Sequence, residues 1–463
     1  MEINEKFVSK TGTQFLAAAV ATLGAFGLGT VAGWTSPALP SLQNGTTLGE
    51  VDPAIQSWIG SIAPIGACIS GPVAGFLVDR IGRKGCMLSM ALPFILGWLL
   101  IGFAQSVDMI LAGRFITGLC GGSFSLAAPV YISEIAQDSI RGTLGSALQL
   151  MINVGVLFTY VVGKYVEWNE LAFICASIPA VFLILMIFMP ESPRLLVSQG
   201  KTYKATKSLR WLRGATITEQ VTEELENVKK SVEENTPGSF FMLFRKSIII
   251  PLSISLALMF FQQWNGNNAV IFYTVDIFID AGSDLDPNIS AIIIGAVQVV
   301  ASIISSILMD KAGRRILLMI SGVAMTISLI ILGIFFLKKS DPDLGESIGW
   351  LPLACLISFI VAFSIGFGPI AWLMQGEILP PNVKGMASAL ATAFNWLNTF
   401  VVTKVFENIK SSIGTEWCFW VFGIAAGLGT IFVYFVVPET KGKSLDEIQE
   451  HFNRKSGRNS EQI

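Results

Sequence analysis

An all-α integral membrane protein of twelve transmembrane helices, built as two six-helix bundles with a cytosolic helical domain between them, is the fold class this sequence predicts. Three observations predict it. Of 463 residues, 52% are apolar and only 14% charged, against about 25% charged in soluble domains. The apolar residues fall into runs of roughly 20, the length at which an α-helix crosses about 30 Å of hydrocarbon. Charged blocks that follow the second, fourth and sixth runs return after the eighth, tenth and twelfth.

The first six spans read as 14–36, 56–78, 85–105, 109–132, 143–163 and 170–189. Polar residues precede the first, with no short apolar stretch and small-residue cleavage site, so that span is itself the insertion signal. The second stops at Asp79-Arg80, and the third runs unbroken from there to Gln105. The fourth carries one internal charge, Arg114. The fifth has a polar stripe of Ser146, Gln149, Asn153 and Tyr160, and the sixth ends at Pro190. From 190 to 246 the chain is polar, but Val221, Leu225, Val228 and Val232 recur at helical spacing, which predicts short amphipathic helices on the cytosolic face. The remaining spans read as 247–275, 289–309, 315–337, 350–376, 385–405 and 416–437. Within the seventh, Asn265-Gly266-Asn267 predicts a break, and broken helices at membrane depth are tolerated where they line a cavity. The domains are therefore 1–189, 190–246, 247–437 and a cytosolic tail, 438–463.

Of the 31 Lys and Arg, 25 fall in segments on one side of the membrane and five on the other, which orients a multi-pass chain with both ends cytosolic. The lipid bilayer is thus the first partner, and with a net charge of −2 nothing points to nucleic acid. The six cysteines sit in or beside spans without a CxxC pair and read as packing residues. The single His, His451, lies in the tail, and no HExxH, Walker loop or nucleophile elbow occurs, so the chain is read as no enzyme, without cofactor, metal or ATP drive.

The repeat is parallel and motif-deep. Asp79-Arg80-Ile81-Gly82-Arg83-Lys84 returns as Asp310-Lys311-Ala312-Gly313-Arg314-Arg315. Glu134 with Arg141 returns as Glu377 with Lys384, and Pro190-Glu191-Ser192-Pro193 as Pro438-Glu439-Thr440-Lys441. With Gly113-Arg114-Phe115, Pro129-Val130-Tyr131, Gln262-Gln263-x-x-Gly266-x-Asn268 and Gly376-Glu377-Ile378, these motifs cover nearly the whole chain. Together they resemble the sugar porter family of the major facilitator superfamily. Gly33-Trp34-Thr35-Ser36-Pro37 and Phe363-Ser364-x-Gly366-Phe367-Gly368-Pro369 are most similar to the insect branch that includes facilitated trehalose transporters, beside facilitative glucose carriers.

That resemblance implies facilitated, plasma-membrane transport of a neutral sugar, glucose or another hexose or trehalose, by alternating access between the halves. It implies an inner gate made of Asp79, Arg83, Glu134, Arg141, Glu191 and Arg194 with Asp310, Arg314, Arg315, Glu377, Lys384 and Glu439. It implies sugar contacts at Gln149, Gln262, Gln263, Asn268, Gln298, Trp372, Asn395 and Trp396, where neutral amides supply both donors and acceptors to a polyol. For Asn153 and Asn398, sugar contact and helix-to-helix bonding are both open. Gln298 replaces a frequent asparagine, Ser364 a frequent acid and Ala371 a frequent proline of glucose carriers, so glucose-specific geometry is not implied.

No coupling ion is expected. Proton-coupled relatives carry an aspartate in the first span, whereas 14–40 holds no acid and Gly29 stands at that position. Asp276 and Asp280 follow the seventh span on the outer side, where water is expected to solvate them. Asn44 opens the sequon Asn44-Gly45-Thr46 on the outer loop and is the expected glycosylation site. The alternative function is a non-transporting sugar receptor of the same fold. Such receptors are expected to carry a long cytosolic tail, whereas some 25 residues follow Pro438.

Overall fold

The computed structural model describes residues 9–43, 52–234, 240–282, 285–339, 348–380, 383–443, 447, 448, 450 and 452. Asn44 lies outside them, as does the side chain of Asp310. The first six long helices are α1 (Gly12–Gln43), α2 (Pro53–Arg80), α3 (Arg83–Gly102), α4 (Val107–Ile135), α5 (Asp138–Gly163) and α6 (Trp168–Ile187). Three short ones follow, α7 (Pro193–Ser198), α8 (Thr202–Arg213) and α9 (Thr222–Glu234). The second set comprises α10 (Lys246–Trp264), α11 (Asn267–Phe272), α12 (Thr274–Ala281), α13 (Pro287–Ala312), α14 (Arg314–Lys338), α15 (Leu351–Ile365), α16 (Phe367–Ile378), α17 (Lys384–Ser412) and α18 (Thr415–Val436).

Eleven helical stretches among the described residues are long and apolar enough to cross a bilayer. The twelfth, α17, has the length at 29 residues but carries Asn395, Asn398, Thr399, Thr403, Lys404 and Glu407. Those groups can be submerged because the helix turns them inward: Asn395, Asn398, Thr399, Thr403 and Glu407 are all buried.

Close helix approach explains the glycines of the first half. A Cβ on Gly29 of α1 would stand 2.0 Å from the Ile152 carbonyl oxygen of α5, and one on Gly155 would stand 2.3 Å from the Phe26 carbonyl. Gly118 of α4 meets the Ala63 carbonyl of α2 at 2.0 Å in the same way. Between apolar helices in lipid, such backbone contact supplies dispersion that a side chain would prevent. Arg114 is fully buried yet satisfied. It donates to the carbonyls of Val31 and Ile59 and to Thr35 Oγ1, with its guanidinium 5.3 Å from the Trp34 ring centroid.

The repeat seen in the sequence is reproduced atom by atom at the basic end of the bundle, called the inner end here. Gly82 and Gly313 take φ of 93° and 89°, a conformation that L side chains rarely adopt, and each turns the chain into the next long helix. The exposed N–H groups of those helices are capped by acids from a distant motif. Glu191 accepts from the N–H of Lys84 at 3.1 Å, and Glu439 from those of Arg314 and Arg315 at 3.0 and 3.1 Å. Burial opposes the ionised form of Glu439, but N–H groups of Lys441, Arg314, Arg315 and Thr440 outweigh it and hold its pKa below the ordinary carboxylate value.

The sign of this shift sets a pH dependence. A depressed folded pKa contributes stability that is present above the unfolded value of about 4.3 and is lost as pH falls through the folded one. Glu439→Gln is expected to lower thermal stability at neutral pH and to flatten its decline below pH about 4.3, checked by melting the purified protein across a pH series.

The short helices are held to the first half. Arg213 pairs with Glu224 between α8 and α9 at 2.5 Å and donates to the Ile135 carbonyl at the end of α4. Thr13 Oγ1 donates to the Leu212 carbonyl, and the N–H of Lys10 to that of Arg213.

Candidate functional site

The seventh span breaks where Asn265-Gly266-Asn267 predicts. Helix α10 ends at Trp264, Gly266 adopts φ of 87°, and α11 starts at Asn267. A second break at Tyr273 separates α11 from α12. The tenth span, expected as one continuous helix over 350–376, is broken as well, at Gly366 between α15 and α16. Pro369 accounts for it, since its missing N–H removes the helical partner of the Ile365 carbonyl.

At these breaks four predicted sugar residues gather into one network. Asn395 of α17 donates through Nδ2 to Gln262 Oε1 at 2.7 Å and accepts on Oδ1 from Gln263 Nε2 at 2.9 Å. Gln263 Oε1 accepts from Asn268 Nδ2 at 2.5 Å, and Gln262 Nε2 donates to the Gly368 carbonyl of α16 at 2.7 Å. On one continuous helix Gln263 and Asn268 would be five residues, about 500°, apart. The turn at Gly266 brings their amides into contact. The network is neutral, and Gln262, Gln263 and Asn395 are 4%, 5% and 2% exposed.

Gln149 and Gln298 lie elsewhere, on α5 and α13 where the two halves meet. Gln149 Nε2 donates to Asn153 Oδ1 at 3.2 Å, and Gln298 is buried with its side-chain Oε1 unpartnered. Trp396, next to Asn395, also has a buried Nε1 without a partner. Gln298 thus leaves a buried acceptor and Trp396 a buried donor free for a bound polar group. Trp372 is half-buried on α16, four residues beyond the carbonyl that Gln262 engages. Asn398 is a helix-to-helix contact, accepting from Trp264 Nε1 at 2.9 Å.

Tyr160 shares the polar stripe of α5 but serves the outer end. Its hydroxyl donates to the Ile271 carbonyl at 2.6 Å, across the halves, and the N–H of Val275 on α12 donates to Ser36 Oγ of α1 at 3.0 Å. Gly60 of α2 faces the Tyr273 hydroxyl so closely that a Cβ would meet it at 2.3 Å. Lys404 of α17 stands 4.2 Å from the centroid of Trp58 on α2. The halves are thus closed together at the outer end. Asp276 is buried there, 8% exposed, which corrects the expectation that water solvates it: α12 folds back against α1, and Asp280 pairs with Lys410 at 2.7 Å. A cation–π contact of this kind is worth about 0.5–1 kcal/mol. Lys404→Met is accordingly expected to raise the fraction opened outward about two- to fivefold, read by labelling a single cysteine placed in the outer vestibule.

The inner charges divide into two matched clusters. Arg83 pairs with Glu134 at 2.8 Å, and Glu134 also accepts from the Ser192 hydroxyl. Arg314 pairs with Glu377 at 3.1 Å, and Glu377 accepts from Thr440 Oγ1 at 2.5 Å. Lys384 Nζ donates to the Gly376 carbonyl at 2.6 Å, and Arg141 to that of Ala136 at 3.5 Å. Each of these contacts joins a half to itself or to the segment that directly follows it, and none joins one half to the other. Asp79 is exposed and Arg194 half-buried. Gly142 and Gly145 at the inner end of α5 and Gly385 at that of α17 have no atom within 4 Å of where a Cβ would stand.

Residues 17–452 match the family described as sugar (and other) transporters. The facilitated trehalose transporter Tret1 of Anopheles gambiae is 47% identical over 442 residues, 94% of this chain and 56% of that protein. The protein of the same name from Apis mellifera ligustica is 46% identical over 444 residues, 95% of this chain and 88% of that one. The chain spans about half the length of several curated relatives it matches. Among solved structures, the inward open xylose transporter XylE from E. coli is 25% identical with a TM-score of 0.79, covering 95% of this chain and 99% of that one. The proton:xylose symporter XylE bound to 6-bromo-6-deoxy-D-glucose is 26% identical with a TM-score of 0.77 over the same shares.

Proposed function

Because this chain belongs to the sugar transporter family, we propose that it moves a neutral sugar across the plasma membrane by facilitated diffusion, trehalose or a hexose such as glucose. The observation that carries this reading is the uncharged amide network of Gln262, Gln263, Asn268 and Asn395 at two helix breaks. Amides offer donors and acceptors to hydroxyl groups without the charge that would select an ionic substrate. Gln149, Gln298, Trp372 and Trp396 complete the sugar site. The first half, 1–189, and the second, 247–437, rock about it, with 190–246 and 438–463 on the cytosolic side and Asn44 glycosylated outside.

The inner clusters around Glu134 and Glu377 act as the gate. In the opposite conformation they meet across the halves, and single exposed pairs of about 0–1 kcal/mol bias the equilibrium only as a network. Uniport is supported by α1, which carries no acid from 14 to 40 and at Gly29 has no space for one. The test is uptake of radiolabelled trehalose, glucose and fructose into proteoliposomes, followed by an imposed inward proton gradient at sugar equilibrium. Equilibration without accumulation is expected, whereas uphill uptake abolished by a protonophore would overturn uniport.

A further inference from the structure

We propose that Asn153 and Ser302 are positioning residues that couple sugar occupancy to the seam between the two halves, an inference that rests on the sugar-carrier reading. Helices α5 and α13 come from opposite halves. Asn153, 3% exposed on α5, donates through Nδ2 to Ser302 Oγ on α13 at 2.5 Å. Ser302 Oγ donates in turn to the main-chain carbonyl of Gln298 one helical turn earlier at 2.7 Å, and Asn153 Oδ1 accepts from Gln149 Nε2 at 3.2 Å. The result is a hydrogen-bonded chain from the Gln149 side chain through Asn153 to Ser302, which crosses the halves and is anchored on the backbone of α13 at Gln298.

Each end has capacity left. Gln149 keeps an oxygen and a second N–H beyond the one it gives Asn153, and Gln298 Oε1 is buried without a partner. A sugar hydroxyl that engages the free oxygen and second N–H of Gln149 and turns its amide removes the donor from Asn153 Oδ1. A buried oxygen left unpaired is unfavourable, so the amide of Asn153 turns to recover a donor and weakens its bond to Ser302. Binding is thereby felt at a bond that crosses the moving interface, and rocking of the halves must break or remake that same bond. A pair with a purely packing role would need no link to Gln149.

The experiment compares Asn153→Leu, Ser302→Ala, their double variant and Ser302→Thr in proteoliposomes, with trehalose and glucose as probes. Each single variant is expected to lower kcat for net uptake by roughly two- to thirteenfold, the value of one hydrogen bond, with a smaller change in KM. The double variant should be no slower than the slower single one, Ser302→Thr should regain wild-type kcat, and Gln149→Ala should cost less in the Asn153→Leu background than alone. Additive losses, no loss of kcat, or an undiminished Gln149→Ala effect would overturn the coupling. Ser302→Ala and Ser302→Thr alone decide the matter if Asn153→Leu does not assemble. Wild-type protein that carries neither probe sugar would overturn the carrier reading itself, a result distinct from additivity in a working carrier.

Discussion

Asn395→Leu is expected to cost more sugar affinity than Gln262→Ala. Leu keeps the volume but removes both halves of an exchange in which Asn395 donates to Gln262 Oε1 and accepts from Gln263 Nε2. Two side-chain atoms of the candidate sugar site then lose their partners at once, each at about 1–3 kcal/mol, whereas Gln262→Ala frees only one such atom, Asn395 Nδ2, which keeps Met259 Sδ at 3.3 Å, together with the Gly368 backbone carbonyl, and costs about 0.5–1.5 kcal/mol. A loss of more than tenfold in kcat/KM is therefore expected for Asn395→Leu, and about two- to thirteenfold for Gln262→Ala. Uptake kinetics on both variants, with surface expression matched, check the order. Equal effects would mean that the four amides bind sugar separately and not as one network.

Gly29→Asp is expected to abolish transport and not to confer proton coupling. A Cβ at Gly29 falls 2.0 Å from the Ile152 carbonyl oxygen, so α1 and α5 must separate before any side chain fits. Overpacking of a tight interface costs about 1–3 kcal/mol or more, and here the intruding group is also a carboxylate within the membrane. Gly29→Ala, which adds the Cβ without the charge, should lose a large part of the same activity. Uptake with and without a pH gradient, beside size-exclusion yield in detergent, separates the outcomes. A folded Gly29→Asp protein that accumulates sugar against its gradient would show that α1 and α5 have more freedom than their contact implies.

Much of the architecture was legible because membrane insertion imposes simple rules on the chain. Runs of apolar residues located the spans. The matched residues of the motif repeat were legible, but their partners were not: Glu134 and Glu377, set beside Arg141 and Lys384 in the sequence, pair with Arg83 and Arg314, and Glu191 caps α3 as Glu439 caps α14. The break at Gly266 was readable from a glycine between asparagines. The break at Gly366 was not read, although Pro369 signalled it, because an apolar run hides a kink that leaves its composition unchanged. Tyr160 was read with the sugar-facing stripe, yet its hydroxyl reaches across to Ile271. Periodicity says which residues share a face and nothing about the depth at which that face meets a partner.

By itself, then, the amino-acid sequence determined the class of fold, the number of spans, the duplicated motifs and the neutral chemistry of the candidate site, because each follows from local composition or from spacing along one helix. Only the tertiary structure decided which amides touch. Gln263 meets Asn268 through a turn, Gln262 meets Asn395 across 133 positions of chain, and Asn153 meets Ser302 across the seam. It also decided that Asp276 is buried and that Gly29 has no room for an acid. Those outcomes depend on how far helices from distant parts of the chain approach one another, a distance set by the joint packing of all their side chains and written in no single stretch of residues.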